Sequence, residues 1–229
     1  MTIIRQQDLI DSVADALQYI SYYHPVDFIQ AVKQAYDREE SKAAKDAMAQ
    51  ILVNSRMCAM GHRPICQDTG IVTVFVRVGM NVQWQGDMSL TDMINQGVRQ
   101  AYTHPDNVLR ASILSDPDGE RKNTGDNTPA VIHYDIVPGD KVSIDVAAKG
   151  GGSEAKSKFA MLNPSDSVVD WVLKMVPTMG AGWCPPGMLG IGIGGTAEKA
   201  MLMAKESLLE HIDISELQAR GASNRNEEL

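Results

Sequence analysis

The chain has 229 residues, of which 44% are hydrophobic and 22% are charged, and its formal net charge is −8. These are globular values, and the length suits one large domain or two small ones. The negative charge argues against nucleic acid and anionic membrane surfaces as partners. No segment approaches the roughly 20 apolar residues that span a bilayer.

The N-terminus and the cysteines together predict a cytoplasmic protein. The first residues contain no apolar stretch of the kind found in secretory signals. The three cysteines are irregularly spaced, which does not favour a disulfide framework. A reducing compartment therefore fits best.

Residues 1–60 are predicted to be helical. Apolar residues recur at helical spacing in three stripes, which begin at Leu9, Phe28 and Ala44. His24-Pro25 predicts a break after the first stripe, and Gly61 predicts the end of the third. Such stripes are more typical of a core than of a site.

Residues 61–229 are predicted to mix strands and helices within one domain, 1–229. Ser89 and Asn163 are predicted N-caps, and Pro138–Asp140 predicts a turn between two strands. The expected fold class is α/β (α+β), with a helical N-terminal segment packed on a mixed β-sheet domain. The predicted strands are 72–78, 132–136, 142–148 and a short buried 189–193, and the predicted helices are 89–103, 163–177 and 196–210.

Two of the three cysteines lie in unusual loops. Cys66 begins Cys66-Gln-Asp-Thr-Gly70, where a loop becomes a strand, and Cys184 lies within Gly180–Gly187. The spacing does not match a zinc ribbon, and on its own it favours buried, inert thiols. The loop context favours ligands instead. Cys58 ends a helical stretch, so we interpret it as a structural thiol.

Three other features are candidate anion sites. The glycines of Lys149-Gly-Gly-Gly-Ser153 expose N–H groups that suit an anion, although a flexible connection with a solvated basic face has the same pattern. Gly190–Gly195 formally matches G-x-G-x-x-G, but we interpret it as close strand–helix packing. Arg110 suits a carboxylate, whereas an exposed Arg is usually just solvated.

In this order, these segments resemble the iron–sulfur (class I) fumarate hydratases and the related two-subunit tartrate dehydratases. The match covers nearly the whole chain after the helical start, which is similar to the family's cluster-binding N-terminal domain or α subunit. The matching segments are Cys66–Gly70, Leu109-Arg110, Asn127-Thr-Pro129, Lys149–Ser153, Cys184-Pro-Pro186 and Gly194-Gly-Thr196.

The resemblance implies a [4Fe–4S] cluster held by three cysteines, whose open iron acts as a Lewis acid. It also implies which residues surround the cluster and the substrate. The implied metal ligands are Cys66 and Cys184, the implied catalytic residues are Gln67 and Asp68, and the implied substrate-binding residues are Lys149, Arg110, Gly150, Gly151 and Gly152.

The chain departs from the family pattern, because the third cluster cysteine and the second domain or β subunit would lie beyond Leu229. We therefore expect a fragment or incomplete subunit that is colourless and inactive alone. The predicted function is part of a hydro-lyase of the tricarboxylic acid cycle that hydrates fumarate to malate. The expected partners are the dicarboxylate, a C-terminal domain or β subunit, and a second copy in a homodimer.

Two alternatives to this prediction stay open. The first is the α subunit of a tartrate dehydratase, which has the same chemistry on a different dicarboxylate; mesaconate is a further conceivable substrate. The second is a non-catalytic module that binds an anion or pairs with another polypeptide.

Overall fold

The computed structural model describes residues 2–184, 186–211 and 213–229, which form two compact units. The first unit contains the residues up to His24 together with Val53–Gly151. The second unit contains Pro25–Leu52 and Gly152–Leu229. The chain therefore leaves the first unit after His24, returns to it at Val53, and leaves it again after Gly151.

The described elements confirm the mixed α/β class. None of the described helices is both long enough and apolar enough to cross a bilayer. The strands are β1 (Thr2–Arg5), β2 (Ile71–Gly79), β3 (Val82–Gln85), β4 (Leu114–Ser115), β5 (Lys122–Asn123), β6 (Val131–Val137) and β7 (Val142–Lys149). The helices are α1 (Gln6–Tyr22), α2 (Val26–Arg38), α3 (Lys42–Gly61), α4 (Leu90–Tyr102), α5 (Gly151–Glu154), α6 (Val168–Met175), α7 (Ala197–Glu206), α8 (Ile214–Arg220) and α9 (Arg225–Glu228).

The main sheet of the first unit has the strand order β6-β2-β7. Strand β2 is parallel to β6 and antiparallel to β7. Because β2 is the central strand, the side chains on both of its faces are buried. Thr73 and Phe75 lie on one face, and Val72, Val74 and Val76 lie on the other. The predicted turn at Pro138–Asp140 does join β6 to β7, but these strands lie on opposite sides of β2 and form no hairpin.

Helices α1 and α4 supply the rest of the core of the first unit. Leu9, Val13 and Leu17 of α1 are buried in one cluster with Ile94 and other residues of α4 and β2. Gly97 allows the two helices to approach closely, since a Cβ there would lie 2.7 Å from the carbonyl oxygen of Ile10. The predicted cap of α4 is confirmed, because the Ser89 hydroxyl accepts the Asp92 N–H at 3.1 Å.

The three predicted N-terminal helices, the break at Pro25 and the end at Gly61 are confirmed. The prediction was wrong for Thr2–Arg5, which form β1 and pair in parallel with β3. Four residues are too few to show a periodicity, and their partner strand is some 80 positions away. No local pattern therefore signals this strand.

Two predictions in the second unit were wrong. Helix α6 is capped by Ser167, whose hydroxyl accepts the Asp170 N–H at 3.1 Å. Asn163 instead closes a turn, in which its N–H donates to the Asp166 carboxylate at 2.7 Å. The segment Leu189–Ile193 forms no strand, and its three large side chains are exposed.

The same glycine-rich segment nevertheless packs closely on α7. A Cβ at Gly190 would lie 2.0 Å from the carbonyl oxygen of Ala204, and one at Gly192 would lie 1.9 Å from that of Ala200. The interpretation of Gly190–Gly195 as a packing motif is therefore confirmed, although an irregular segment takes the place of the predicted strand. Met201 of α7 is exposed, although its helical spacing with Ala197, Ala200 and Ala204 predicts an inward side chain.

Candidate functional site

The segment Cys66–Gly70 connects α3 to β2 in the first unit. Gly70 has φ = +89°, and a Cβ there would lie 2.5 Å from the carbonyl carbon of Ala148 in β7. Only glycine fits this combination of backbone angle and close approach. The tight passage fixes where the preceding side chains emerge.

Cys66 and Asp68 are joined by a local hydrogen-bond pattern. The Cys66 thiol is exposed, and its Sγ accepts the N–H of Asp68 at 3.4 Å. The same Sγ lies 3.3 Å from Oε1 of Gln67, whose side chain is also exposed. The exposed sulfur is therefore accessible to a metal ion and receives a main-chain hydrogen bond of the kind found at cysteine ligands of iron–sulfur clusters.

The half-buried Asp68 carboxylate links this loop to the glycine-rich segment. Its Oδ1 accepts the Gly70 N–H at 3.3 Å, and its Oδ2 accepts the Gly151 N–H at 2.9 Å. A Cβ at Gly150 would lie only 3.0 Å from the same Oδ2. The N–H of Gly151, one of the three glycines that were predicted to bind an anion, thus holds one of the chain's own carboxylates.

Two fully buried residues support the loop from behind. The Tyr102 hydroxyl donates to the carbonyl oxygen of Thr69 at 2.7 Å, and burial raises the pKa of this tyrosine to about 12. The Asn127 side-chain amide donates to the carbonyl oxygen of Gly70 at 3.0 Å, while its Oδ1 accepts the Ser112 N–H at 2.7 Å. Asn127 therefore joins the Cys66 loop to the segment that follows Arg110.

Arg110 lies beside this loop and carries an exposed guanidinium. Its carbonyl oxygen accepts a hydrogen bond from the Thr69 hydroxyl. Among the described residues, no carboxylate forms an ion pair with its side chain. The guanidinium is thus available for an anion. Lys149, the last residue of β7, is half-buried and already has an interaction partner.

The second unit contains Cys184, Gly152 and Lys156. Cys184 is exposed, has φ = +62°, and donates its N–H to the carbonyl oxygen of Ala181 at 3.1 Å. A Cβ at Gly152 would lie 2.8 Å from the carbonyl oxygen of Gly182, and one at Gly182 would lie 2.9 Å from Cε of Lys156. The glycine-rich segment therefore continues against the Cys184 loop. Pro185, part of the predicted motif, lies outside the described residues.

Cys58 differs from the other two cysteines. It is buried, and its Sγ lies 3.6 Å from Oδ1 of Asn54 and 3.6 Å from the carbonyl oxygen of Pro64. The interpretation of Cys58 as a structural thiol is confirmed.

Comparison with known proteins decides the family. The model of the fumarate hydratase (Fumerase) family matches residues 10–229. The chain belongs to the fumarate hydratase family. It is thus a member of a hydro-lyase family, as the resemblance of its motifs implied.

Curated relatives of this family member are α subunits. A putative L(+)-tartrate dehydratase subunit alpha of Methanocaldococcus jannaschii is 33% identical over 88% of this chain and 72% of the relative. The L(+)-tartrate dehydratase subunit alpha of Escherichia coli strain K12 is 31% identical over 89% of this chain and 68% of the relative. That of E. coli strain UTI89 is 32% identical over the same shares.

The residues of this family member only partly fit an iron–sulfur cluster. Two exposed thiols are present, one in each unit, whereas such clusters are usually held by several thiolates. Within residues 2–184, 186–211 and 213–229, no three His, Cys, Asp or Glu side chains are grouped so that they could hold a metal ion. The described residues therefore form an incomplete ligand set for such a cluster.

The structure brings together part of the predicted site. Cys66, Gln67, Asp68, Arg110 and Gly151 lie around one loop of the first unit, while Gly152 and Cys184 belong to the second unit. Sequence reasoning gave no role to Asn127 or Tyr102. Asn127 begins the matching segment Asn127-Thr-Pro129, and that match was the sequence signal that could have identified it.

Proposed function

We propose that this chain is the α-type part of a hydro-lyase that reversibly adds water to fumarate to give malate. The observation that carries the proposal is the grouping of an exposed thiol, a backbone-held carboxylate and an exposed guanidinium around the Cys66 loop of a fumarate hydratase family member. Each group suits a different part of this reaction.

The substrate is a dianion and this chain has a net charge of −8, so binding needs local cations. Arg110 supplies a planar fork that can hold one carboxylate through two hydrogen bonds. Lys149 adds positive charge next in sequence to Gly150, Gly151 and Gly152, the glycines proposed to bind the substrate, of which Gly151 donates its N–H to Asp68. Holding the carboxylate also stabilises the charge that develops when a proton is removed beside it.

Asp68 and Gln67 are assigned to proton transfer and orientation. The Asp68 carboxylate accepts two backbone N–H groups, which fixes the direction of its remaining lone pairs. From this position it orients or relays a proton of the reacting water. Gln67, beside the thiol and exposed, offers an amide to the substrate.

We further propose that a [4Fe–4S] cluster belongs to the complete enzyme, with Cys66 and Cys184 as two of its ligands and a third from outside this chain. When bound, the open iron would supply Lewis-acid activation of the substrate hydroxyl or of water. The partner would be a second domain or a β subunit, and the assembly would be a cytoplasmic homodimer.

The test is anaerobic co-purification of the chain with its candidate partner, followed by addition of iron and sulfide. Visible-range absorbance reports the cluster, and conversion of fumarate to malate reports activity. We expect Cys66→Ser to abolish both and Cys58→Ser, the matched control, to retain both. The proposal fails if the wild-type pair shows neither signal after iron and sulfide are added, and the ligand assignment fails if Cys58→Ser is the damaging change.

Arg110 has its own test in the active assembly. Arg110→Gln is expected to raise the KM for fumarate by on the order of 100-fold, because a bidentate, charge-assisted contact contributes about 3 kcal/mol. Arg56→Gln on the exposed surface of α3 removes the same charge and is expected to leave the KM unchanged. Equal effects of the two variants would show that Arg110 acts only through overall charge.

L(+)-tartrate is the second candidate substrate, because the relatives described above are named as L(+)-tartrate dehydratase α subunits. Tartrate has the same two carboxylates as malate and one more hydroxyl, so the same Arg110 contact serves both. Initial rates with fumarate, malate and L(+)-tartrate, measured on one preparation, decide between them. A higher kcat/KM for tartrate would replace fumarate as the proposed substrate.

A further inference from the structure

We propose that Thr69 is a positioning residue, which places the Arg110 guanidinium so that it can hold a carboxylate of the substrate. This role rests on the proposed binding of the substrate by Arg110. Thr69 lies within Cys66–Gly70, and it is the residue of that loop to which the proposed function gives no part. It acts through Arg110 rather than by contact with the substrate.

The segment that carries Arg110 has no regular secondary structure. Helix α4 ends at Tyr102 and β4 begins at Leu114, so residues 103–113 belong to neither a helix nor a strand. Their main chain is not fixed by the hydrogen bonds of a helix or a sheet. Its position therefore depends on hydrogen bonds from side chains elsewhere in the first unit.

Such side chains hold the segment before and after Arg110. The side-chain amide of Gln18 donates to the carbonyl oxygen of Asn107 at 3.0 Å. The side-chain amide of Asn123 donates to the carbonyl oxygen of Ala111 at 2.9 Å. These contacts fix the course of the chain on both sides, but neither of them involves Arg110 itself.

Thr69 supplies the contact at Arg110. Its hydroxyl donates to the carbonyl oxygen of Arg110, which lies 41 positions later in the chain. Among the described residues, Arg110 forms no other hydrogen bond and no ion pair. The Thr69 hydroxyl therefore fixes the main chain from which the exposed Arg110 side chain extends.

Thr69 is itself held in place, as a positioning residue must be. Its carbonyl oxygen accepts a hydrogen bond from the hydroxyl of the buried Tyr102 at 2.7 Å. The next residue, Gly70, passes so close to β7 that a side chain would meet the main chain of Ala148. A continuous connection thus runs from α4 through Tyr102 and Thr69 to the main chain of Arg110.

A small displacement of Arg110 is enough to weaken the binding of a carboxylate. Two parallel N–H···O bonds require both donors of the guanidinium to be in place at once. If the main chain moves, one of the two bonds is lost, which corresponds to a loss of affinity of about tenfold. The guanidinium is still present, so we expect a smaller loss than for Arg110→Gln.

Calorimetric titration of the active assembly with succinate tests this role. Succinate has two carboxylates, as fumarate has, but no double bond to hydrate, so the titration measures binding without turnover. Thr69→Val removes the hydroxyl and keeps the shape of the side chain, and we expect it to raise the Kd about tenfold. We expect the same of Thr69→Ala, whereas Thr69→Ser keeps the hydroxyl and is expected to retain the wild-type Kd.

Thr103→Val is the matched control. The Thr103 hydroxyl also donates to the carbonyl oxygen of an arginine, Arg99, at 2.7 Å, but this contact lies at the exposed end of α4. Because it does not involve Arg110, we expect its loss to leave the Kd for succinate unchanged. Circular dichroism checks the folding of every variant.

A double-mutant cycle separates this role from a purely structural one. If Thr69 acts through Arg110, Thr69→Val has no further effect on the Kd once Arg110→Gln is present. A general disturbance of the loop would instead add its effect to that of Arg110→Gln.

Kinetics with fumarate provide a second separation, because Thr69 adjoins Asp68, which is assigned to proton transfer. We expect Thr69→Val to raise the KM and to leave kcat within about twofold of the wild-type value. A disturbance of Asp68 would lower kcat instead, and that result would contradict an action through Arg110.

The binding data distinguish a failure of this role from a failure of the proposed function. A raised Kd in Arg110→Gln with an unchanged Kd in Thr69→Val, or additive effects in the cycle, would overturn the role of Thr69 alone. If neither variant raises the Kd, or if the wild-type assembly does not bind succinate, the proposed role of Arg110 fails and that of Thr69 fails with it.

Discussion

Asn127 shows how a residue without reactive chemistry can fix the geometry of a candidate active site. It is fully buried, has φ = +61°, and satisfies the Gly70 carbonyl and the Ser112 N–H with one side chain. Asn tolerates a left-handed backbone better than most residues do. The same residue therefore adopts the left-handed backbone conformation required at this position and supplies hydrogen-bond partners to two main-chain groups.

Replacing this side chain should be costly. Asn127→Ala removes the partner of the Ser112 N–H, leaves the Gly70 carbonyl oxygen with only the Tyr102 hydroxyl at 3.4 Å, and places Ala at a positive φ, so we expect a loss of about 3 kcal/mol in the free energy of unfolding. Asn81→Ala, at an exposed turn, should change it by less than about 0.5 kcal/mol. Urea denaturation measures both. A small effect at Asn127 would mean that water replaces its hydrogen bonds.

Tyr102 predicts a dependence of stability on alkaline pH. Its pKa is raised from 10.0 to about 12, mainly by burial. A raised pKa stabilises the fold fully below the unfolded value, and this stability is lost as pH rises through the folded value. We expect wild type to lose about 3 kcal/mol of unfolding free energy between about pH 10 and 12 that Tyr102→Phe does not lose. The same dependence of the unfolding free energy on pH in the two proteins would contradict the assignment of this loss to Tyr102.

At the scale of elements, the passage from the Cys66 loop into β2 depends on one glycine. Gly70→Ala is expected to cost about 3 kcal/mol or more, because the new Cβ meets the main chain of β7 and requires a positive φ. Gly151→Ala is the matched control, since the nearest atom to its Cβ is Oδ2 of Asp68 at 3.9 Å. Thermal unfolding compares the two variants. Equal melting temperatures would show that β7 shifts to admit the methyl group.

At the scale of the whole molecule, the chain carries two accessible thiols, fewer than the several thiolates that usually hold an iron–sulfur cluster. Without a partner we expect it to gain no visible-range absorbance when iron and sulfide are added anaerobically. A thiol reagent should modify Cys66 and Cys184 quickly and Cys58 only after unfolding. Stable absorbance from the isolated chain would show that further ligands exist among its own residues.

The sequence by itself determined the family, the helical N-terminus and the residues of the Cys66 loop. These features are carried by periodic apolar stripes or by consecutive residues, and both depend on neighbours within a few positions of the chain. For the same reason the cap at Ser89 and the break at Pro25 were predictable. The wrong cap at Asn163 arose because an Asn-Pro pair also begins a turn, and the cap of α6 is Ser167, four residues later.

The tertiary structure alone decided which distant residues meet. Strand β1 pairs with the distant β3, and the Gly151 N–H is bound by Asp68. The Asn127 side chain donates a hydrogen bond to the carbonyl oxygen of Gly70, which lies 57 positions earlier in the chain. The order β6-β2-β7 follows from long-range pairing rather than from the turn between β6 and β7. Local sequence specifies each element, but the burial of their shared faces selects the partners, because that free energy exists only once the chain has folded.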